Sequence, residues 1–150
     1  MKILFICHGN ICRSSSAEYI FKFLLKENGL DNIHECDSAA TSSEEIGNDI
    51  YPPMKRVLLS HNIPIVRHYA KKMKREDYDN FDLILCMDEE NMWGINRIVE
   101  DTENKIFILP KYVGLDYEIE DPWYTGRYEL VYNQIYNCLE RLIEILRSKI

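Results

Sequence analysis

Residues 1–21 read MKILFICHGNICRSSSAEYIF, and the junction CHGNICRS at Cys7–Ser14 decides how the rest of the chain is understood. The unbroken apolar run over Lys2–Cys7 predicts a strand covered on both faces. From Arg13 the period changes. Ala17, Ile20, Phe21, Leu24 and Leu25 recur at helical spacing, and Gly29 is the expected stop. A strand therefore runs straight into a helix through a loop made of two cysteines, a glycine, an asparagine and an arginine.

Outward from that junction the pattern repeats. A second, weaker strand is predicted over Ile33–Ala39, parallel to the first because a helix intervenes. After the Ser/Thr-rich loop Thr41–Ser43 and the Pro52-Pro53 turn comes a short helix, Met54–Ser60. FDLILCMD, Phe81–Asp88, reads as a buried strand and Glu89–Val99 as a helix. KIFIL, Lys105–Leu109, is a further strand closed by Pro110. A polar loop through Asp121 leads to a long helix, Arg127–Arg147, whose stripe of Val131, Ile135, Cys138, Leu139, Leu142 and Leu146 faces a core. Alternating strands and helices predict one three-layer α/β domain over residues 1–150 with a parallel sheet. Ligands of such sheets sit beyond the carboxyl ends of the strands, where CHGNICRS lies.

Composition narrows the function. A formal charge of −7, from 25 acidic and 18 basic residues, argues against a general nucleic-acid binder, which needs a basic surface. No stretch approaches the roughly 20 apolar residues of a membrane span, and MKILFIC lacks the marks of a signal peptide. A cytoplasmic chain with no membrane partner is expected. The five cysteines show no zinc-ribbon pairing, and although His34 and Cys36 could join Cys7 and Cys12 at a metal, the spacing is wrong for a strong site. No metal and no cofactor are expected.

The loop itself points to anion chemistry. A helix N-terminus presents unpaired N–H groups and the positive end of its dipole. Gly9 relieves crowding in the curl and Asn10 tolerates positive φ. Amides from His8 through Gly9, Asn10, Ile11 and Cys12 to Arg13 form a plausible phosphate cradle, and the Arg13 guanidinium matches two phosphate oxygens. The same field favours a thiolate at Cys7, with the Ser14 hydroxyl placed to hydrogen-bond the sulfur. A bare Cys-x5-Arg is weak, since chance supplies about 0.3 matches in a chain of this make-up. The strand before it and the helix after it give it weight. A thiolate attacking phosphorus also needs an acid for the departing oxygen. Asp121 in EDPWYTG is the best candidate: Pro122 restricts its backbone, and Trp123 and Tyr124 offer rings to flank an aromatic substrate.

CHGNICRS, CDSAAT at Cys36–Thr41, CMDEEN at Cys86–Asn91 and DPWY at Asp121–Tyr124 occur in the order of the low-molecular-weight protein tyrosine phosphatases, which the chain resembles over essentially its whole length. The resemblance implies a four-stranded parallel sheet, flavodoxin-like or Rossmann-like, with the phosphate-binding loop after its first strand. It implies hydrolysis of phosphotyrosine, in proteins or peptides, and of small aryl phosphates, through a cysteinyl-phosphate intermediate. Inorganic phosphate is the product, and a monomer is expected. By matching position Cys7 is the nucleophile, Arg13 the phosphate ligand and Asp121 the acid and then the base. Asn10, Ser14, Ser38 and His68 support the loop, the last through HYAKK and a one-residue shift. Ile11, Glu44, Trp123 and Tyr124 line the cleft.

Three positions depart from the family's pattern. Ser15 replaces a proline of the first helical turn, His8 replaces an aliphatic or small residue, and Glu44 stands where animal members place an aromatic wall. With Asp116, Glu118 and Glu120 nearby, Glu44 predicts an acidic approach that prefers basic flanking residues. Cys12, in the same loop as Cys7, predicts a disulfide between them under oxidation. Two rivals are a related arsenate reductase and a phosphate-binding module without turnover. The first needs relay cysteines close together, whereas Cys36, Cys86 and Cys138 are dispersed; the second leaves Asp121 without a role.

Overall fold

The computed structural model describes residues 1–149. Four strands form one parallel sheet in the order β2-β1-β3-β4: β1 (Lys2–Cys7), β2 (Glu35–Ala40), β3 (Leu83–Cys86) and β4 (Ile106–Ile108). The chain passes from β1 to β2 on one side, then returns to β3 on the other. The carboxyl end of β1 is therefore the switch point of the sheet.

The apolar run of β1 is buried on both faces, as its composition requires. Ile3, Phe5 and Cys7 face a core shared with helix α1 (Arg13–Glu27), α2 (Pro52–Ser60) and the long C-terminal helix (Tyr128–Arg147). Leu4 and Ile6 face a smaller core with Met73, Tyr78 and Ile95. The predicted apolar stripes of α1 and of the C-terminal helix are buried throughout.

Boundaries moved where side chains compete with pattern. β2 begins at Glu35 rather than Ile33, because Ile33 is exposed in the turn before it. Helix α3 (Arg75–Asn80) was not foreseen; its charged sequence has one buried apolar anchor, Tyr78. The next helix, α4, spans Glu89–Asn96 and stops short of Val99. Pro110 does not simply close β4. It sits in the first turn of α5 (Leu109–Tyr112), where its missing N–H costs nothing. Asp121 and Pro122 likewise open a short helix, α6 (Pro122–Thr125), and α7 is the C-terminal helix.

Candidate active site

The loop after β1 closes on the Cys7 sulfur. The Asn10 N–H donates to Sγ at 3.3 Å and the Ser14 hydroxyl lies 3.0 Å from it. A sulfur carrying negative charge can only accept, so the Ser14 proton then points at Sγ rather than at the Ala39 carbonyl 3.4 Å away. The left-handed turn that aims these groups belongs to Asn10, at φ 62°. Gly9, expected to relieve crowding in the curl, does not have a positive φ. A Cβ there would meet Glu45 Cγ at 3.4 Å and Ile11 Cγ1 at 3.8 Å, ordinary contacts.

Asn10 is fully buried, with every polar group used. Its Nδ2 donates to Ser14 Oγ at 2.8 Å and Ser38 Oγ at 2.9 Å, and its Oδ1 accepts from Lys71 N at 3.1 Å. Its carbonyl accepts from His68 Nε2 at 2.7 Å, which defines the tautomer of that ring. Ser38 in turn donates to Glu18 Oε1 at 2.5 Å, and Lys22 pairs with the other Glu18 oxygen. A continuous chain of hydrogen bonds thus links a buried carboxylate to the sulfur, with Asn10 Nδ2 donating in both directions. Asp49 holds the far side, accepting from the His68 N–H at 3.0 Å. Burial alone would raise the Asp49 pKa, but Lys55 and the His68 and Ile50 amides outweigh it and hold it at about 2.

Arg13 is almost wholly buried. Its NH1 donates to Asp88 Oδ2 at 2.6 Å and to the Ile119 carbonyl at 2.9 Å, while NH2 lies 3.5 Å from Asp121 Oδ2. Burial opposes its charge, yet Cys7, Asp88 and Asp121 more than compensate and keep its pKa above the ordinary arginine value. With both NH1 hydrogens taken, the Nε–H and NH2 groups remain for a bound anion. Asp121 is oriented by its own helix: Oδ1 caps α6, accepting from Trp123 N at 3.0 Å.

These groups surround a cleft of about 410 Å³ with Cys7 and Arg13 at the floor. Its walls are Ile11, Glu44, Glu45, Trp123 and Tyr124. Trp123 is 59% exposed and meets Tyr51 edge-on at 5.2 Å, whereas Tyr124 is 82% exposed. Glu44 does face the cleft, but it is not a free charge, for His8 Nε2 lies 3.0 Å from its carboxylate. The other expected acids are misplaced. Glu120 is held by the Arg127 guanidinium through two hydrogen bonds, and Glu118 accepts from Glu89 N near Lys111. Neither they nor Asp116 line the cleft; Glu45, not foreseen, does.

The remaining cysteines are separated. Cys12 lies in the loop, its thiol pushed up first by burial and then by the charges of Cys7 and Asp121. Cys36 donates to the Glu18 carbonyl, and burial raises its thiol too. Cys86 faces the smaller core, with burial raising its thiol to about 12, and Cys138 is packed inside α7 beside Tyr117. His34 Nδ1 approaches the terminal ammonium, and Cys36 pairs with Ile3, toward the opposite end of β1 from Cys7.

Sequence reasoning missed Asp88, Glu18 and Asp49. A signal existed for two of them. Asp88 ends a strand run beside the switch point, and Glu18 lies one helical turn after Ser14, on the same face.

Residues 2–150 match the family model described as low molecular weight phosphotyrosine protein phosphatase. Similar curated proteins carry that same name: one from Homo sapiens is 40% identical and one from Rattus norvegicus 39% identical. Each alignment covers 95% of this chain and 93% of the relative. Among solved structures, YfkJ from Bacillus subtilis superimposes with a TM-score of 0.94 at 32% identity, covering 99% of this chain and 96% of that one. A protein tyrosine phosphatase from Entamoeba histolytica, with Hepes in the active site, gives 0.90 at 31% identity, covering 99% and 98%.

Proposed function

The chain belongs to the low molecular weight phosphotyrosine protein phosphatase family and is an enzyme of that class, and from this premise we propose that Cys7, Arg13 and Asp121 carry its reaction. The observation that carries this reading is the sulfur of Cys7 at the floor of the cleft. It accepts from Asn10 N and Ser14 Oγ, with the buried Arg13 guanidinium and the Asp121 carboxylate at the same hollow.

Phosphoryl transfer is chiefly a matter of positioning and charge stabilisation. The phosphate of a tyrosyl ester enters the loop, its oxygens met by the loop amides other than that of Asn10, which serves the sulfur, and by Nε–H and NH2 of Arg13. Cys7 Sγ attacks in line, so that the S–P bond forms as the P–O bond to the ring breaks. Asp121 delivers its proton to the departing phenolate oxygen. Water then attacks phosphorus, Asp121 takes the water's proton, and the thiolate leaves, with Ser14 stabilising the negative sulfur. Asn10, Ser38 and His68 are positioning residues: they touch the loop, not the substrate.

The cleft admits a single phosphotyrosyl side chain between Trp123, Tyr124 and the Glu44 wall. Phosphotyrosine-bearing proteins or peptides are the substrates, and the 1–150 segment works as one catalytic domain and a monomer in the cytoplasm. Among the described residues no helix is long and apolar enough to cross a membrane. The reductase reading gains nothing from cysteines so dispersed. The test is hydrolysis of p-nitrophenyl phosphate without metal or a reductant partner. Cys7→Ser should abolish turnover while phosphate binding, followed by calorimetry, persists. Turnover surviving in Cys7→Ser would move the nucleophile elsewhere.

A further inference from the structure

Beside the catalytic cleft lies a second hollow of about 1020 Å³, more than twice as large, running between the loop after β2 and α4. The two share His8, Asp121 and Tyr124, so a chain leaving the cleft on that side enters this groove. We propose that it is a substrate subsite for an acidic segment flanking the phosphotyrosine, with Lys72 and Arg97 selecting its carboxylates and Trp93 receiving an apolar side chain; this rests on the phosphatase reading above.

Three features argue that the groove is built rather than incidental. Trp93 is 72% exposed in the middle of a helix whose buried residues are Asn91 and Ile95, so its ring supports no core. An exposed aromatic rimmed by charge is the composition of a recognition anchor. Gly94 forms part of the floor, where a Cβ would sit 2.7 Å from Thr41, so glycine lets α4 close on the loop after β2. The cations are held by pinned backbone. Ala40 bridges Lys72, with hydrogen bonds to Lys71 and from Met73 on either side, and the Arg97 N–H donates to Trp93 O at the end of α4.

Charge then decides the occupant. Lys71, Lys111 and Arg127 each face a carboxylate, whereas among the described residues Lys72 and Arg97 have no ion-pair partner. Both are exposed and line the groove. Glu90 and Asp121 line it too: Glu90 sits in the first turn of α4, where the positive helix end offsets it, and Asp121 lies 3.5 Å from the Arg13 guanidinium. Glu44 and Glu45 line the catalytic cleft but not the groove, and Glu44 is met by His8, which the two hollows share. An acidic flank is therefore favoured only where it leaves the cleft through the groove, past Lys72 and Arg97. The sequence predicts an acidic approach that prefers basic flanking residues; for a flank that runs along the groove the proposed preference is the opposite.

The experiment measures kcat/KM for four phosphotyrosine peptides, with Glu or Lys pairs placed only before or only after the phosphotyrosine. p-Nitrophenyl phosphate, too small to reach the groove, is the reference. For the unaltered enzyme, Glu on one side should raise kcat/KM by about 1.5- to 5-fold per contact, and the gain should shrink at high salt. Lys72→Glu with Arg97→Glu should reverse that preference, and Trp93→Ala should weaken peptides more than the reference. Equal rates for Glu on either side, or a preference unmoved by charge reversal, overturn the groove alone. Failure to hydrolyse the reference overturns the phosphatase reading and the groove with it.

Discussion

The floor and the rim of the cleft are built on opposite principles. At the floor, Asn10, Arg13, Ser14 and Ser38 are buried and hydrogen-bonded to several segments of the chain at once. At the rim, Trp123 and Tyr124 are mostly exposed, and the His8–Glu44 pair sits in solvent. A buried, fully satisfied polar network permits one geometry, because every alternative strands a donor or acceptor. An exposed rim can change without consequence for the loop beneath it. On the proposed assignment, chemistry is held where change is costly and selection where it is not.

That contrast can be broken most severely at the floor. Asp121→Asn should cut kcat on phosphotyrosine by about 10²–10⁴-fold, and much less on esters whose leaving group needs no proton. An equal loss on all substrates would make Asp121 structural. Arg13→Lys should follow, at roughly 10²–10³-fold, because a point ammonium lacks the planar fork that holds Asp88 and the Ile119 carbonyl with one nitrogen and leaves Nε–H and NH2 for a phosphate. Rates should be compared with Asp88→Asn, which leaves the guanidinium in place but its partner neutral.

The support beneath the loop should answer in stability as well as rate. Asn10→Ala forfeits buried hydrogen bonds and places a Cβ residue without a local partner at φ 62°, a loss of about 1–3 kcal/mol in urea unfolding. Asn10→Gly keeps the turn and loses only the bonds, so the difference between the two isolates the backbone term. Asp49 supplies a pH signature. Its folded pKa of about 2 lies below the ordinary 3.8, so its stabilisation is complete above roughly pH 5 and is lost as pH falls toward 2. Asp49→Asn should be less stable at neutral pH and should flatten the acid limb of the stability profile.

The rim should give the smallest response. Glu44→Gln removes one partner of an exposed pair and should shift kcat/KM on charged peptides by only about 1.5- to 5-fold, leaving unfolding midpoints unchanged. A loss as large as that of Arg13→Lys would show that Glu44 belongs to the floor.

Much of this was already legible in the sequence. The apolar run into CHGNICRS specified a buried strand ending in an anion loop, because burial on two faces and helical periodicity are local patterns. The order of strands and helices specified the layered parallel architecture, and Asp121-Pro122 with its rings marked a candidate acid, which the fold brings beside Arg13. What remained hidden depends on groups distant in the chain. Asp88 reaches Arg13, Glu18 reaches Ser38 and His68 reaches the Asn10 carbonyl only because the sheet and its helices gather their segments around the carboxyl end of β1. Nor could pattern tell that Glu120 is spent on Arg127, that Glu44 faces His8, or that Lys72 and Arg97 share one groove. A residue's type fixes its charge and hydrogen-bonding capacity, but its partners, and hence what charge remains for a substrate, are decided only when the packed chain brings those groups within a few ångströms.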